Sequence, residues 1–364
     1  MSRPALLRRL EKAGRQVLIR AISPDSMIKP RECIPSDAVL NRILLMRWDA
    51  IGDMVVSLPL FRRLRELHPG SEICIVASRR NIGLLRYEEG FRVLLWNRDP
   101  LIFLRSLAAA RTFAPDAVVD TRMHYDSTTS FIYGLISGAP WTVSASNCNQ
   151  RLPFSVRVAV TQQGRHIVEL TAEVLSALGA DLRLIGLDRR LRFSGRERRF
   201  AESFWRSAGL PLRGRAIVLN LSTRDPRKSW GGENSVKLLR ALGAAGHSTV
   251  VVSAPEDRQK ALAVAEAGGA LAAPESPDIL SVAALLDGAR LLVTPDTAMV
   301  HVAAAHQVPV VGLYVPGESH MPLWYPWQVP MRTVLATDPA GVSTISVQDV
   351  LDSVSELLSE TGGV

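Results

Sequence analysis

The feature that most constrains this chain is an alternation of short apolar runs with helical stretches, played through twice. In the first series the runs are RILLMR (42–47), ICIVAS (73–78), RVLLWN (92–97) and AVVDT (117–121), with helical stretches such as 54–67 and 101–113 between them. In the second they are AIVLNLS (216–222), STVVVSA (248–254), RLLVTP (290–295) and VPVVGLY (308–314), separated by helical stretches at 233–245, 256–267, 278–287 and 297–306. Runs of this length and composition, spaced by helices, predict stacked βαβ units and a parallel sheet buried on both faces. Two α/β domains in tandem follow, with a boundary in the charged, Gly-containing region 180–200. The halves share an architecture without a sequence repeat. A last amphipathic stretch, 345–360, opens with Ser346 as an N-cap and predicts a closing helix.

Composition supports that size. With 364 residues, 47% of them hydrophobic, the chain is long enough for two cores. No apolar run reaches the roughly 18 residues that a membrane-crossing helix needs. The net charge of +8 is uneven: residues 1–36 carry eight Lys or Arg against three acids. That segment reads as a basic amphipathic helix, suited either to an anionic membrane face or to the protein's own surface. It lacks the apolar core and cleavage site of a secretory signal. The excess charge sits in one short piece without interleaved aromatic residues, which argues against a nucleic-acid binder. Cys33, Cys74 and Cys148 are far apart and form no CxxC or Cys/His cluster, so neither disulfides nor zinc are expected, and a reducing, cytoplasmic setting fits.

In open parallel sheets ligands sit beyond the carboxyl ends of strands, so the loops after the apolar runs are where chemistry belongs. After the first run, Gly52 and Asp53 stand at the start of a helix. Asp53 either caps that helix or serves as a general base for a substrate hydroxyl, and Asp49, four residues earlier, is its competitor. The loop NLSTRDPRKSWGGENSV (220–236) offers Ser222, Thr223, Arg224, Arg227 and Lys228 ahead of a helix start near Gly232. Hydroxyls, a lysine and helix-terminal amides suit a phosphate or diphosphate. After RLLVTP, Asp296 or Thr297 caps a helix beginning at Ala298, Met299, Val300 and His301. For a lone histidine such as His301 the packed helix residue is favoured over the catalytic one. No Gly-x-Gly-x-x-Gly, no P-loop and no Gly-x-Ser-x-Gly elbow is present, which argues against dinucleotide dehydrogenases, P-loop nucleotidases and serine hydrolases of the α/β type.

Together, RILLMRWDAIGDMVVSLPLFRRLRELHPGSEICIVAS (42–78), STRDPRKSW (222–230) and TPDTAMVHVAAAHQVPVVGLYVPGESHMPLW (294–324) resemble the ADP-heptose:lipopolysaccharide heptosyltransferases, glycosyltransferase family 9. The resemblance covers nearly the whole chain after residue 40. It implies a GT-B fold: two Rossmann-like domains, here 37–190 on the acceptor side and 191–345 on the nucleotide-sugar side, facing a cleft. A basic extension (1–36) precedes them, and a C-terminal helix (346–364) is expected to pack back on the first domain.

The implied reaction is inverting, metal-independent transfer of heptose from ADP-heptose to a hydroxyl of a lipopolysaccharide core. No cofactor beyond the nucleotide-sugar donor is implied, and the lack of an Asp-x-Asp motif agrees with that. By position, Asp53 matches the family's base. Ser222, Thr223 and Lys228 match its donor-diphosphate loop, and Asp296 matches the residue holding donor-sugar hydroxyls. The amides of Thr297 and Ala298 would face phosphate, His301 would line the donor pocket, and Glu256 matches an acidic ribose contact. Ala298 stands where glycine is frequent, Gly231 where proline usually follows the tryptophan, and TRMHYDSTTS (121–130) departs from the usual acceptor-side segment. The expected partners are a lipid-linked glycan acceptor and, through residues 1–36, the inner-membrane surface. The competing readings are a non-catalytic glycan- or nucleotide-binding protein of this fold and a transferase using another nucleotide sugar.

Overall fold

The computed structural model describes residues 30–123, 128–147, 152–179, 182–211, 216–317 and 323–362. Most of the basic N-terminal stretch, Cys148 and parts of the segments 121–130 and 294–324 lie outside the described residues. The chain divides into two units. One comprises Met1–Asp49, Ser57–Ile82 and Glu89–Asp188, and the other Ala50–Val56, Gly83–Glu88 and Arg189–Val364.

The first unit holds strands β1 (Arg42–Met46), β2 (Glu72–Ser78), β3 (Phe91–Trp96), β4 (Ala117–Asp120), β5 (Trp141–Ala145) and β6 (Val156–Val158). They form one parallel sheet in the order β3-β2-β1-β4-β5-β6. The last four residues of β1 and all four of β4 are buried, as central parallel strands require. Helix Ile51–Leu67 follows β1, with Pro59 in its interior; Pro59 has no N–H to give the Val55 carbonyl. Helix Pro100–Phe113 is started by Asp99, which accepts from the Leu101 and Ile102 amides at 3.0 and 3.1 Å, with proline at its first position. Helices Thr128–Ser137 and Ile167–Ser176 complete the described helices between strands and after the sheet.

The second unit repeats the plan with β7 (Ala216–Asn220), β8 (Ser248–Val252), β9 (Leu271–Ala272), β10 (Leu291–Pro295), β11 (Val310–Tyr314) and β12 (Met331–Leu335). The order β12-β11-β10-β7-β8-β9, again all parallel, is the same winding read from the other edge. In each sheet the first and fourth strands of the series are neighbours, which is the point where the winding reverses and where ligands bind in such folds. Helices Gly195–Ser207, Gly232–Ala244, Arg258–Gly268, Ile279–Leu286, Ala298–Ala305 and Val347–Thr361 belong to this unit.

Ser346 caps the last helix by accepting from the Asp349 amide at 3.1 Å. The buried stripe of that helix, Val350, Val354, Leu357 and Leu358, joins one core with Ile217, Leu219, Trp230 and Val311. Its apolar face is therefore used inside the second unit, where the sequence reading placed it against the first. The reason is the pattern itself: the stripe finds its complement in the unit's own sheet and in helix Gly232–Ala244.

Cys33 is exposed and Cys74 buried, and both are free thiols. Burial pushes the Cys74 thiol up to about 12. Among the described residues no helix is long and apolar enough to cross a membrane.

Candidate functional site

At the carboxyl end of β7 the chain must leave a buried strand and enter the phosphate-suited loop read from the sequence. Asn220 controls that exit. It is 4% exposed, and its amide nitrogen donates to the Ser222 carbonyl at 3.2 Å, to Thr294 Oγ1 at 2.9 Å and to Thr297 Oγ1 at 3.3 Å. Its carbonyl oxygen accepts from the Ser222 amide at 3.2 Å. One buried side chain thus ties the loop after β7 to the turn after β10. Ser222 Oγ accepts from the Ala254 amide at 2.8 Å, which ties the same loop to the turn after β8 that carries Glu256. Glu256 itself is exposed on the short 3-10 turn Pro255–Asp257.

The loop then folds on itself. Thr223 Oγ1 accepts from the Asp225 amide at 3.3 Å, and Asp225 caps the turn Pro226–Lys228. The Arg227 guanidinium beside Asp225 holds that carboxyl below its ordinary value. Trp230 anchors the far end: its ring is buried in the core and its Nε1 donates to the Ile345 carbonyl at 3.0 Å. Gly231 follows at φ 95°, a left-handed conformation that favours glycine and is closed to proline.

These constraints deliver Lys228 to Asp296, with Nζ donating to Oδ2 at 2.5 Å. Both side chains remain partly exposed, at 19% and 23%. Thr297 caps helix Ala298–Ala305 by accepting from the Met299 amide at 3.3 Å, and the amide of Ala298, at the first helical position, has no acceptor within the helix. The Tyr314 hydroxyl, at the end of β11, is buried. Burial first, then the nearby charge of Asp296, push it well above the ordinary phenol range, so it stays protonated.

Asp53 belongs to the same unit as these groups. It is the third residue of helix Ile51–Leu67, and its Oδ2 accepts from the Ala50 amide at 3.2 Å, a back-bond to the residue before the helix. Immediately before it, Gly52 allows a close approach: a Cβ built there would lie 2.7 Å from His301 Cδ2 and 3.7 Å from the Ala298 Cα. The helix start that carries Asp53 therefore abuts the helix start that carries Ala298. His301 is 6% exposed and its ring meets Trp324 edge-on at 5.6 Å. It is a packed residue that fixes this approach.

Asp49 is differently employed, in the first unit. It takes Arg47 Nη1 at 3.1 Å, while Arg47 Nη2 donates to the Thr121 carbonyl at 2.5 Å. Asp49 thus steadies the exit of β1.

A model of glycosyltransferase family 9 (heptosyltransferase) matches residues 138–349, more than half of the chain. The chain belongs to glycosyltransferase family 9. As a member it is a glycosyltransferase, and its two parallel sheets have the GT-B architecture. It is similar to two curated proteins of Escherichia coli called lipopolysaccharide heptosyltransferase 3. One, from strain K12, is 25% identical over 221 residues, spanning 54% of this chain and 61% of that protein. The other is 22% identical over 351 residues, spanning 86% of this chain and 98% of that protein. The solved structure of E. coli heptosyltransferase WaaC with ADP-2-deoxy-2-fluoro heptose superimposes with a TM-score of 0.66 at 19% identity, covering 86% of this chain and 99% of that one.

The structure brings Lys228 and Asp296, named separately from the sequence, into one ion pair, and Thr297 caps the helix beside them. Sequence reasoning missed Asn220, whose signal was an amide side chain ending an otherwise apolar strand.

Proposed function

We propose that this chain transfers a heptose from ADP-heptose to a hydroxyl of a lipopolysaccharide core or related lipid-linked glycan, with inversion and without a metal ion. On this reading it works at the cytoplasmic face of the inner membrane. The observation that carries the reading is the approach of Gly52 to Ala298 and His301, which sets the helix start that carries Asp53 against the helix start that follows Asp296, the partner of Lys228.

The donor diphosphate would lie over the Ala298 amide and the hydroxyls of Ser222 and Thr223, where helix-terminal N–H groups favour an anion. Lys228 would turn from Asp296 to phosphate, and Asp296, released, would accept sugar hydroxyls. Glu256, on the turn after β8, would meet the ribose. Asp53 would take the proton of the acceptor hydroxyl as that oxygen bonds to the anomeric carbon. The bond from that carbon to the phosphate oxygen breaks, and its electron pair leaves with ADP. The charge growing on the diphosphate is met by Lys228. Nothing in this sequence of steps calls on a cofactor. The names of the E. coli relatives support the donor and acceptor classes.

Calorimetric titration with ADP, UDP and GDP, with and without magnesium, tests the donor. ADP-selective binding independent of magnesium and weakened by Lys228→Ala is the expected outcome. Preference for UDP or GDP would overturn the donor while leaving the family, and binding of none would favour a non-catalytic role.

A further inference from the structure

We propose that the outer face of helices Pro100–Phe113 and Thr128–Ser137, in the first unit, is a docking surface for an anionic phospholipid bilayer. Helix Pro100–Phe113 buries Ser106, Leu107, Ala110 and Phe113 but leaves Leu101 67% and Leu104 60% exposed. Helix Thr128–Ser137 leaves Leu135 55% and Ile136 38% exposed. The two lie side by side and run the same way. Phe103 meets Tyr133 at 6.0 Å, the Tyr133 hydroxyl donates to Ser106 Oγ at 2.5 Å, and Arg111 Nη1 donates to the Ile136 carbonyl at 3.0 Å. Leu101, Leu104, Ala108 and Arg111 follow one another at helical spacing down the open side, and Leu135 and Ile136 flank its end. Single exposed leucines are ordinary, whereas a cluster on neighbouring helices marks a surface with a partner.

The charge around these side chains selects that partner. Neither helix contains an Asp or Glu; their charged residues are Arg105 and Arg111, and Arg98 is exposed just ahead of them. Asp99, the acid just ahead of the first helix, is engaged by the Leu101 and Ile102 amides. Leucines flanked by arginines suit the boundary of headgroup and acyl chains, the leucines entering it and the guanidinium groups reaching lipid phosphate. Residues 1–29 are a poor cover for this face, since they carry seven Lys or Arg against two acids and so have its own sign of charge. The surface rests on the proposed function only for its purpose, which is to bring the enzyme to a lipid-linked acceptor.

The test is co-sedimentation of the full chain with phosphatidylcholine vesicles, with and without phosphatidylglycerol. Binding is expected only where phosphatidylglycerol is present. Leu101→Glu with Leu104→Glu is expected to lower the partition coefficient roughly a hundredfold, and Arg98→Gln with Arg105→Gln roughly tenfold, with thermal unfolding unchanged because all four residues are exposed. Several outcomes would overturn the proposal: no binding by the unaltered chain, equal binding to neutral vesicles, undiminished binding by the glutamate variant, or loss on removing residues 1–29 while the helix variants are silent. Vesicle binding needs neither donor nor acceptor, so it fails or succeeds separately from transfer measured on a lipid-free acceptor.

Discussion

The two sheets are wound alike, yet the ends of their central strands are furnished in opposite ways. In the first unit, the exit of β1 is closed by the protein's own ion pairs. Arg47, 1% exposed, is spent on Asp49 and the Thr121 carbonyl, and Arg122 pairs with Asp120 while lying over the Trp48 ring at 4.3 Å. In the second unit, the ends of β7 and β10 present a lysine and an aspartate that are each about one-fifth exposed and that hold each other. Asp49 is itself 24% exposed, so what differs is the cation: a fully buried guanidinium with a carbonyl as third partner is locked, since removing it strands the acceptors. A half-open pair can exchange its partner for a ligand's phosphate at little cost. The contrast shows that topology chooses where a site lies, and the burial of the ionic groups decides whether it is a hinge pin or a binding group.

The largest expected effect lies at the helix start that abuts Ala298. Asp53→Asn keeps the shape and the acceptor for the Ala50 amide but not the basicity. Turnover is expected to fall by about 10²–10⁴-fold with ADP affinity almost unchanged, as read by single-turnover transfer and calorimetry. Equal loss of binding and turnover would instead make Asp53 only a cap.

Arg47→Met attacks the locked side of the comparison. It leaves the Thr121 carbonyl and the partly exposed Asp49 without their buried donor, so unfolding in urea should show a loss of about 1–3 kcal/mol. Lys228→Ala attacks the open side. Its cost in stability should stay below about 1 kcal/mol, while ADP affinity drops roughly ten- to a hundredfold, the size of a lost charge-assisted hydrogen bond. If both substitutions changed stability alike, the distinction between locked and exchangeable pairs would be wrong.

How far the sequence foretold this follows from the same physics. Most central strands were legible because burial on both faces writes them as continuous apolar runs, and the edge strand β3 carries enough apolar residues to be read with them. The interior strand β5, broken by Thr and Ser, and the edge strands β6, β9 and β12, as short as two residues or only partly buried, were not. Helix Thr128–Ser137 was hidden in a segment rich in Ser and Thr, whose helical stability comes from packing against its neighbour rather than from propensity. In the site, Lys228, Asp296 and Thr297 stood out by residue type and loop position. The role of Asn220 was invisible, because its partners Thr294 and Thr297 are more than seventy residues away. The placement of the last helix in the second unit likewise depended on which core its stripe would complete, which periodicity does not specify.

A third ionic cluster, away from both strand exits, gives the comparison its smallest and most specific test. Asp287 ends helix Ile279–Leu286, ahead of β10, and takes Arg190 at 2.6 Å and His306 Nδ1 at 3.1 Å, with the His306 ring stacked on Phe193. Burial alone would raise its pKa, but the hydrogen bond and charge of His306, with the charge of Arg190, outweigh it and bring the carboxyl down to about 2. A depressed pKa means that the folded state favours the ionised form. Its contribution is therefore fully present above the ordinary value of 3.8 and is lost as the pH falls towards about 2. Solvent screening at the exposed Arg190 keeps the contribution near about 1 kcal/mol. Urea unfolding of the intact chain and of Asp287→Asn should differ by that amount at neutral pH, and the difference should vanish across this acid window. A difference that persisted to the acid end would mean that Asp287 acts through packing, and that the locked pairs of this protein hold by shape rather than by charge.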